Sequence, residues 1–290
     1  MEKLPPNENR STPQVSVIMT SYNAEKTISE AIDSILSQTF TDFEFIIVDD
    51  GSSDCTTEII QNYRDERIHL VKQGRRGRVP SLNHAVRLTQ GQYIANLDAD
   101  DIALPERLDR QVAYLENHPE VGLLGAWGIE MNEYSGQEKE ILLPVTNEEI
   151  RTALAFYCPF IHSSATIRQY VFENVGLYNE KLTHSEDMDL WVRIATNHAI
   201  FNLPEFLVKK RIHPLQSFKI VKEEARFRNE AYICWKAARC LSLPLSVKLS
   251  ALSFYLYSRI PFQFREGLKS LFPTGLVRSM AASRDGWVIK

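Results

Sequence analysis

The sequence contains only four cysteines, and none of them forms a CxxC pair or the Cys/His spacing of a zinc site. They stand far apart in the chain, at Cys55, Cys158, Cys234 and Cys240. This scatter argues against a disulfide framework and predicts a protein of a reducing compartment, which we take to be the cytoplasm.

Long apolar runs are also missing. The most apolar stretch, residues 241–262, is interrupted by Pro244, Lys248, Arg259 and Pro261, so it does not reach the roughly 18 uninterrupted residues of a membrane span. The N-terminal residues are polar and lack the apolar core of a signal peptide. We therefore expect no membrane span, and a flexible tail over residues 1–13.

Three motifs of other nucleotide-binding and hydrolytic folds are absent. No GxGxxG follows the first apolar run, which argues against a dinucleotide-dependent dehydrogenase. No GxxxxGK[ST] is present, which excludes a P-loop nucleotidase, and the lack of GxSxG argues against an α/β-hydrolase.

The composition is that of a globular protein, with 290 residues of which 44% are hydrophobic and 24% charged. The net charge of −4 conceals a division: residues 205–290 hold 16 Lys and Arg against 6 Asp and Glu, and the remainder holds 17 against 31. A C-terminal excess of +10 predicts contact with an anionic surface. A solvated helical face that neutralises the acidic body explains it equally well.

Short β-branched runs alternate with helical patterns over the first hundred residues. Strands are predicted at 15–20, 43–49, 68–71 and 93–97, and helices at about 28–36, 56–63 and 81–88, with a fourth beginning near Pro105. Asn23 is a plausible cap of the first helix. This alternation predicts an α/β fold with a doubly wound, mostly parallel sheet.

Polar residues follow three of these strands, at 20–23, 49–54 and 98–101. In a parallel sheet the strands' carboxyl ends share one edge, where ligands bind. Asp98 and Asp100 offer oxygen ligands that suit Mg²⁺ or Mn²⁺, especially when phosphate oxygens complete the coordination. Alternatively, their carboxylates cap the helix near Pro105.

Three segments in order make the pattern specific: VSVIMTSYNAEKTISEAIDSILSQTF, EFIIVDDGSSDCT and GQYIANLDADDIALPERL. The chain resembles, over roughly residues 13–215, the inverting glycosyltransferase family 2 with its GT-A fold. It is most similar to bacterial enzymes that use UDP- or dTDP-sugars to build surface polysaccharides. The resemblance implies a catalytic domain over 14–215, with a nucleotide-binding half (14–101) and an acceptor half (102–215), followed by a basic helical extension over 216–290.

The resemblance also implies roles for individual residues. The nucleotide would be held by Thr20, Tyr22, Asn23, Asp49, Asp50, Arg78 and Asp98, with Asp50 accepting from the uracil imide, Asp49 as its structural partner and Arg78 reaching the base or the diphosphate. Asp100 and His213 would hold Mn²⁺ or Mg²⁺. Asp187 would be the general base, supported by Glu186, and His162 would flank the acceptor.

Other interpretations of these residues remain open from the sequence alone. Tyr22 could be an ordinary half-buried aromatic, and His213 a surface loop histidine. Glu186 could only orient Asp187 or cap the helix carrying Trp191, and Asp189 could replace Asp187 as the base. Trp191 itself is more typical of core packing than of a sugar platform.

The expected reaction transfers one sugar from a nucleoside-diphosphate sugar to a saccharide or lipid-linked saccharide. Processive relatives carry QxxRW and membrane spans, and this chain has neither. We expect no nucleic-acid partner, and an anionic membrane surface as a partner of residues 216–290. There Phe254, Tyr255, Tyr257 and Phe262 either add contacts to the membrane interface or pack onto the catalytic domain. Two rival functions are a nucleotidyltransferase, whose Gly-rich, Lys-containing loop SYNAEK does not match, and a non-catalytic sugar-nucleotide-binding protein.

Overall fold

The computed structural model describes residues 12–182, 184–212 and 223–261. Its first half alternates strands and helices as predicted: β1 (Val15–Ser21), α1 (Ile28–Leu36), β2 (Phe43–Asp49), α2 (Thr56–Asn62), β3 (Ile68–Lys72), α3 (Arg78–Leu88), β4 (Tyr93–Asn96), the short β5 (Ile102–Ala103) and α4 (Arg107–Asn117).

The second half has longer strands and shorter helices. In chain order these are β6 (Val121–Asn132), β7 (Glu138–Ile141), α5 (Asn147–Ala153), a 3₁₀ turn (His162–Ser164), β8 (Thr166–Arg168), α6 (Gln169–Val175), α7 (Glu186–Asn197) and β9 (Ala199–Ile212). Two helices follow in the described C-terminal part, α8 (Glu223–Cys240) and α9 (Leu245–Arg259).

One sheet runs through the described residues in the order β3-β2-β1-β4-β8-β6-β9-β5, with β7 beside β6. The segment β3-β2-β1-β4 is parallel throughout. β8 runs antiparallel to both β4 and β6, whereas β9 is parallel to β6. The predicted α/β architecture is confirmed, and the four consecutive parallel strands all lie within residues 15–96.

The central strands are apolar because both of their faces are covered. Every residue of β2 is buried, and so is all of β4. α1 packs its predicted stripe onto one face, with Ile28, Ala31, Ile32 and Ile35 at most 1% exposed. The buried strands therefore end abruptly at polar residues, all at one edge of the sheet.

Two local predictions are corrected by the structure. Asn23 does not cap α1, which begins five residues later at Ile28, with Thr27 at the N-cap position. Its backbone is left-handed (φ 51°), and its side-chain oxygen instead accepts from Ser53 N at 2.8 Å. Pro105 lies just before α4 rather than in its first turn, because the helix begins at Arg107.

The C-terminal helices complete the core of the catalytic domain. Ala231, Ile233 and Cys234 of α8 share a buried cluster with Trp191 of α7. Trp191 is itself fully buried, as its core interpretation predicts. α8 therefore packs on the helix that carries the predicted base.

The aromatic residues of α9 were expected to contact a membrane or to pack inward. Phe254 and Tyr257 are buried, at 5% and 3% exposure, so a membrane role for these two is wrong. Tyr255 is half-buried, and Phe262 lies outside the described residues. Within the described ranges, we find no helix with the length and apolarity needed to cross a bilayer.

Candidate functional site

Three strand ends bring the predicted nucleotide residues to one edge of the sheet. Thr20 is the penultimate residue of β1 and pairs in register with Val48 of β2. Asp50 follows β2 directly, and its N–H donates to Ser21 O at 2.9 Å. Asp98 follows β4, the other neighbour of β1. The order of the sheet thus places Asp50 and Asp98 on either side of Thr20.

Asp49 holds the turn that follows β2. Its buried carboxylate accepts from the hydroxyls of Ser52 and Thr57, each at 2.5 Å. The Ser52 hydroxyl accepts in turn from the N–H of Asn23 at 2.9 Å. Asp49 and Asn23 therefore fasten the first and second strand-end loops to each other, which agrees with a structural role for Asp49.

The Asp50 carboxylate is enclosed by the segment 73–77. It accepts from Gln73 Nε2 at 2.9 Å, from Arg76 N at 2.8 Å and from Gly77 N at 2.9 Å. Burial alone would raise the pKa of Asp50, but these donors hold it below its usual value. The group is thus an ionised acceptor with its charge fixed in place.

Arg75 is a site residue that the sequence prediction missed. Its Nη1 atom donates to Asp50 at 2.5 Å, and its guanidinium carbon lies 3.5 Å from the centroid of the Tyr22 ring. Tyr22 itself is 45% exposed. Gly51 permits this arrangement: its φ is +77°, and a Cβ there would meet Arg75 N at 2.9 Å.

Arg78 begins α3 and joins three of the other predicted residues. Its Nη2 donates to Asp98 at 2.8 Å and lies 3.2 Å from His162 Nδ1, and its Nε donates to Glu186 at 3.0 Å. His162 Nδ1 is 2.9 Å from the same Asp98 oxygen. The structure therefore brings the predicted acceptor-side and nucleotide-side residues into one ion-pair network.

The charges of this network stabilise one another. Burial would raise the pKa of Asp98, but the charges of Arg78 and His162 hold it well below its usual range. Burial likewise opposes the charged form of Arg78, and Asp98 and Glu186 raise its pKa in spite of that. Glu186 is thus an ion-pair partner rather than a helix cap.

Three carboxylates cluster after β4. Oxygens of Asp98, Asp100 and Asp101 lie within 4.8 Å of one another. Asp101 is buried and accepts from Arg211 N at 2.9 Å and from the hydroxyl of Ser163. Burial and the charges of Asp100 and Asp98 raise its pKa well above the ordinary value. Such a concentration of negative charge suits a divalent cation.

Asp187 lies in the first turn of α7, beside residues of two other segments. The Cys158 thiol lies 3.9 Å from its Oδ2. Burial and the charge of Glu186 raise the pKa of Asp187. Its neighbour Asp189 is engaged differently, since it accepts from Lys236 Nζ at 2.7 Å and from Arg193 Nε at 2.9 Å.

Glu230 of α8 is a second residue that the sequence prediction missed. Its carboxylate pairs with Arg226 and accepts a hydrogen bond from the Ser185 side chain, at the start of α7. Burial, aided by the charge of Asp187, raises the pKa of Glu230 to about 7. His213, the remaining predicted metal ligand, lies outside the described residues.

Comparison with known proteins identifies the family. The model of "Glycosyl transferase family 2" matches residues 16–176. The chain is 35% identical over 243 residues to the putative glycosyltransferase EpsE of Bacillus subtilis, covering 81% of this chain and 86% of EpsE. It is 33% identical over 202 residues to the amylovoran biosynthesis glycosyltransferase AmsE of Erwinia amylovora, covering 68% and 75% respectively.

Solved structures show the same fold at lower identity. TarS of S. aureus (residues 1–349) in complex with UDP-GlcNAc superposes with a TM-score of 0.68 at 19% identity, over 92% of this chain and 79% of that one. The mannosyltransferase PcManGT of Pyrobaculum calidifontis, in complex with GDP-Man and Mn²⁺, gives 0.63 at 19% identity, over 98% and 82%.

These matches define a glycosyltransferase with a GT-A-like fold. The chain belongs to glycosyltransferase family 2, and is an enzyme of that family's bacterial polysaccharide type.

Proposed function

We propose that this protein is an inverting glycosyltransferase. It moves a sugar from a UDP- or dTDP-linked donor to an acceptor hydroxyl in the synthesis of a cell-surface polysaccharide or lipopolysaccharide. The observation that carries the proposal is the network in which Arg78 joins Asp98 to Glu186, the neighbour of Asp187. One side chain thereby links the strand-end loop after β4 to the start of α7.

The nucleotide is assigned to the pocket of Thr20, Tyr22 and Asp50. Tyr22 offers an exposed ring for stacking, and the ionised Asp50 is an acceptor for a base N–H such as the uracil imide. The UDP-GlcNAc bound by TarS supports a uridine donor, whereas PcManGT is a relative in fold that binds GDP-Man. The preference for one nucleobase over another therefore depends on the residues of this protein at the proposed base site, Tyr22 and Asp50.

A divalent metal fits the cluster of Asp98, Asp100 and Asp101. Burial raises the pKa of Asp101, and the charges of Asp100 and Asp98 raise it further; a bound cation would offset both effects. We assign Mn²⁺ or Mg²⁺ to this cluster, with Asp100 as the ligand that the family resemblance implies. When bound, the metal supplies charge neutralisation at the diphosphate as a Lewis acid.

Asp187 is the proposed base. The acceptor oxygen attacks the anomeric carbon as its proton passes to Asp187, and the bond from that carbon to the diphosphate oxygen breaks, releasing the nucleoside diphosphate. The raised pKa of Asp187 makes it a better proton acceptor than an ordinary aspartate. The double salt bridge of Asp189 supports this choice, since that carboxylate already serves two cations. One base and in-line attack invert the anomeric configuration.

A donor screen tests the proposal. UDP-, dTDP- and GDP-sugars are supplied with Mn²⁺ and a saccharide acceptor, and nucleoside diphosphate release is measured. We expect turnover with a uridine or thymidine donor, abolished by Asp187→Asn. In parallel calorimetry, UDP or dTDP should bind more tightly than GDP, since one unmatched buried polar group costs about 1–3 kcal/mol. GDP binding that is tenfold tighter than UDP binding overturns the base assignment, and absence of turnover with every donor overturns the enzyme assignment.

A further inference from the structure

Arg75 occupies the two groups that the nucleobase requires. Its guanidinium carbon lies 3.5 Å from the centroid of the Tyr22 ring, and its Nη1 donates to Asp50 Oδ2 at 2.5 Å. One contact uses the face of the guanidinium and the other uses its edge.

A guanidinium and a pyrimidine base present the same two features. Each is planar, so that its face can stack on an aromatic ring, and each carries N–H groups at its edge that can donate to a carboxylate. Asp50 Oδ2 already accepts from Arg75 Nη1 and Gly77 N, and Oδ1 accepts from Gln73 Nε2 and Arg76 N, so that a base N–H reaches this carboxylate only when one donor leaves. Arg75 also covers one face of the Tyr22 ring. Arg75 and the base are therefore competitors for one position.

Departure of Arg75 leaves Asp50 well supported. The carboxylate retains Gln73 Nε2, Arg76 N and Gly77 N as donors, all within 2.9 Å. The Arg75 side chain is 53% exposed, so that it can leave the ring through open solvent. A Cβ at Gly74 would meet no atom within 4 Å, and Gly77 has a φ of +99°, so the chain on both sides of Arg75 has room to turn.

We propose that Arg75 is a competitive occupant of the nucleobase position, which the base displaces from Tyr22 and Asp50 when the donor binds. This inference rests on the proposed function, because it takes these two residues as the base site. The apparent affinity then equals the intrinsic affinity multiplied by the fraction of protein in which Arg75 has left the position. The occupied position also keeps weakly held planar compounds off the Tyr22 ring.

Uridine is the probe for the test, because it contains the base but no phosphate that Arg75 could attract. Binding of uridine to the wild type and to Arg75→Ala is measured by ligand-observed NMR titration. We expect the variant to bind uridine about 5- to 30-fold more tightly, since the competitor is gone. Arg75→Gln, which keeps an amide but loses the cation, should also bind more tightly.

Arg76→Ala is the matched control. The contact of Arg76 with Asp50 uses its backbone N–H, and its side chain lines a separate cavity of about 730 Å³ with Pro80, His84, Arg87 and Glu180. Uridine affinity should be unchanged in this variant. Thermal melting of every variant checks that the fold is retained.

The outcomes separate this inference from the proposed function. Unchanged or weaker uridine binding by both Arg75 variants, in proteins that still bind UDP, overturns the competition and leaves the donor site intact. An equal gain in Arg76→Ala also overturns it, because loss of any local cation would then suffice. If neither the wild type nor the variants bind UDP, the nucleotide site itself is wrong and both proposals are overturned.

Discussion

The Nε atom of Arg78 donates a 3.0 Å hydrogen bond to Glu186, although 108 positions of the chain separate the two residues. The same guanidinium reaches Asp98 at 2.8 Å. The Arg78 side chain therefore holds the loop after β4, which carries Asp98, close to the first turn of α7, which carries Glu186.

Arg78→Met keeps much of the side-chain length but removes the cation, leaving Asp98 and Glu186 without their partner. We expect a loss of about 2–3 kcal/mol of stability near neutral pH, the range for charge-assisted hydrogen bonds. Because the folded-state pKa of Asp98 is depressed, its contribution is present above the unfolded-state pKa and is lost as the pH falls through the folded-state pKa. Urea unfolding at about pH 7 and about pH 3 should therefore show a smaller difference from wild type at the acidic value. An equal penalty at both values would contradict the charge-based account.

Asp187→Asn should lower turnover, whereas Asp189→Asn should lower the stability of the fold. The first removes the proposed base, so turnover should fall by roughly 10²–10⁴-fold with donor affinity nearly unchanged. The second leaves Lys236 and Arg193 without their shared acceptor and should cost about 2–3 kcal/mol of stability. Steady-state kinetics and urea unfolding on both variants separate the effects. A dead Asp189→Asn beside a fully active Asp187→Asn would reverse the assignment.

Glu230→Gln should stabilise the protein at alkaline pH. The folded-state pKa of Glu230, about 7, lies above the unfolded value, so its ionisation is unfavourable in the fold. Stability present at acidic pH is consequently lost as the pH rises from the unfolded-state pKa through the folded-state pKa. The variant should gain about 1–3 kcal/mol over wild type near pH 8 and little near pH 4. Urea unfolding at the two values measures this, and a gain confined to acidic pH would refute it.

Asp100→Ala should remove metal-dependent turnover while the fold is retained. Its carboxylate lies at the strand end with Asp98 and Asp101, outside the hydrophobic clusters. Calorimetry with Mn²⁺ and UDP together should show weakened ternary binding, and EDTA should inactivate the wild type. Asp109→Ala, an exposed acid on α4, serves as the control. Full activity of Asp100→Ala in the presence of EDTA would contradict a metal role.

The basic C-terminal region should bind anionic vesicles. Exposed arginines lie on its described helices, at Arg228, Arg239 and Arg259, and each basic residue near an anionic surface contributes about 1 kcal/mol. The protein should co-sediment with anionic vesicles at low salt, and it should dissociate from them as the salt concentration rises. The triple Gln variant should bind less, and neutral vesicles not at all. Protein that remains in the supernatant at low salt would point to the alternative, a solvated helical face.

The strand ends of the site were predictable because an apolar run shows where a buried strand stops. The ends of β1, β2 and β4 then indicate Thr20, Asp50 and Asp98, and a parallel sheet brings them to one edge. The roles implied by family resemblance for Asp100 and Asp187 go beyond this and remain predictions.

Two parts of the site could not be read from the sequence. Three arginines lie within the segment 75–78, and only the path of the backbone around Asp50 shows that Arg75 reaches Tyr22 and Arg78 reaches Asp98. Glu230 comes to Asp187 by the packing of α8 on α7, a long-range contact that no local pattern encodes.

The second half of the sheet was equally hard to predict. β9 runs for 14 residues through Pro204 and a basic stretch, and its pairing with β6 includes register shifts. A strand that is irregularly paired and half-exposed lacks both the continuous apolar run and the strict alternation that identify strands in a sequence.

The salt bridge between Lys236 and Asp189 bears on the order in which the molecule forms during synthesis. β1 to β4 pair with one another within the first hundred residues, so this half can assemble while the rest of the chain is still being translated. α7 is completed later. Asp189 pairs with Arg193 within α7, but it gains its second cation, Lys236, only when α8 is present, and α8 also contributes to the buried cluster around Trp191. A newly made chain would therefore form the parallel strands that end at Thr20, Asp50 and Asp98 first, and the helix that carries Asp187 last.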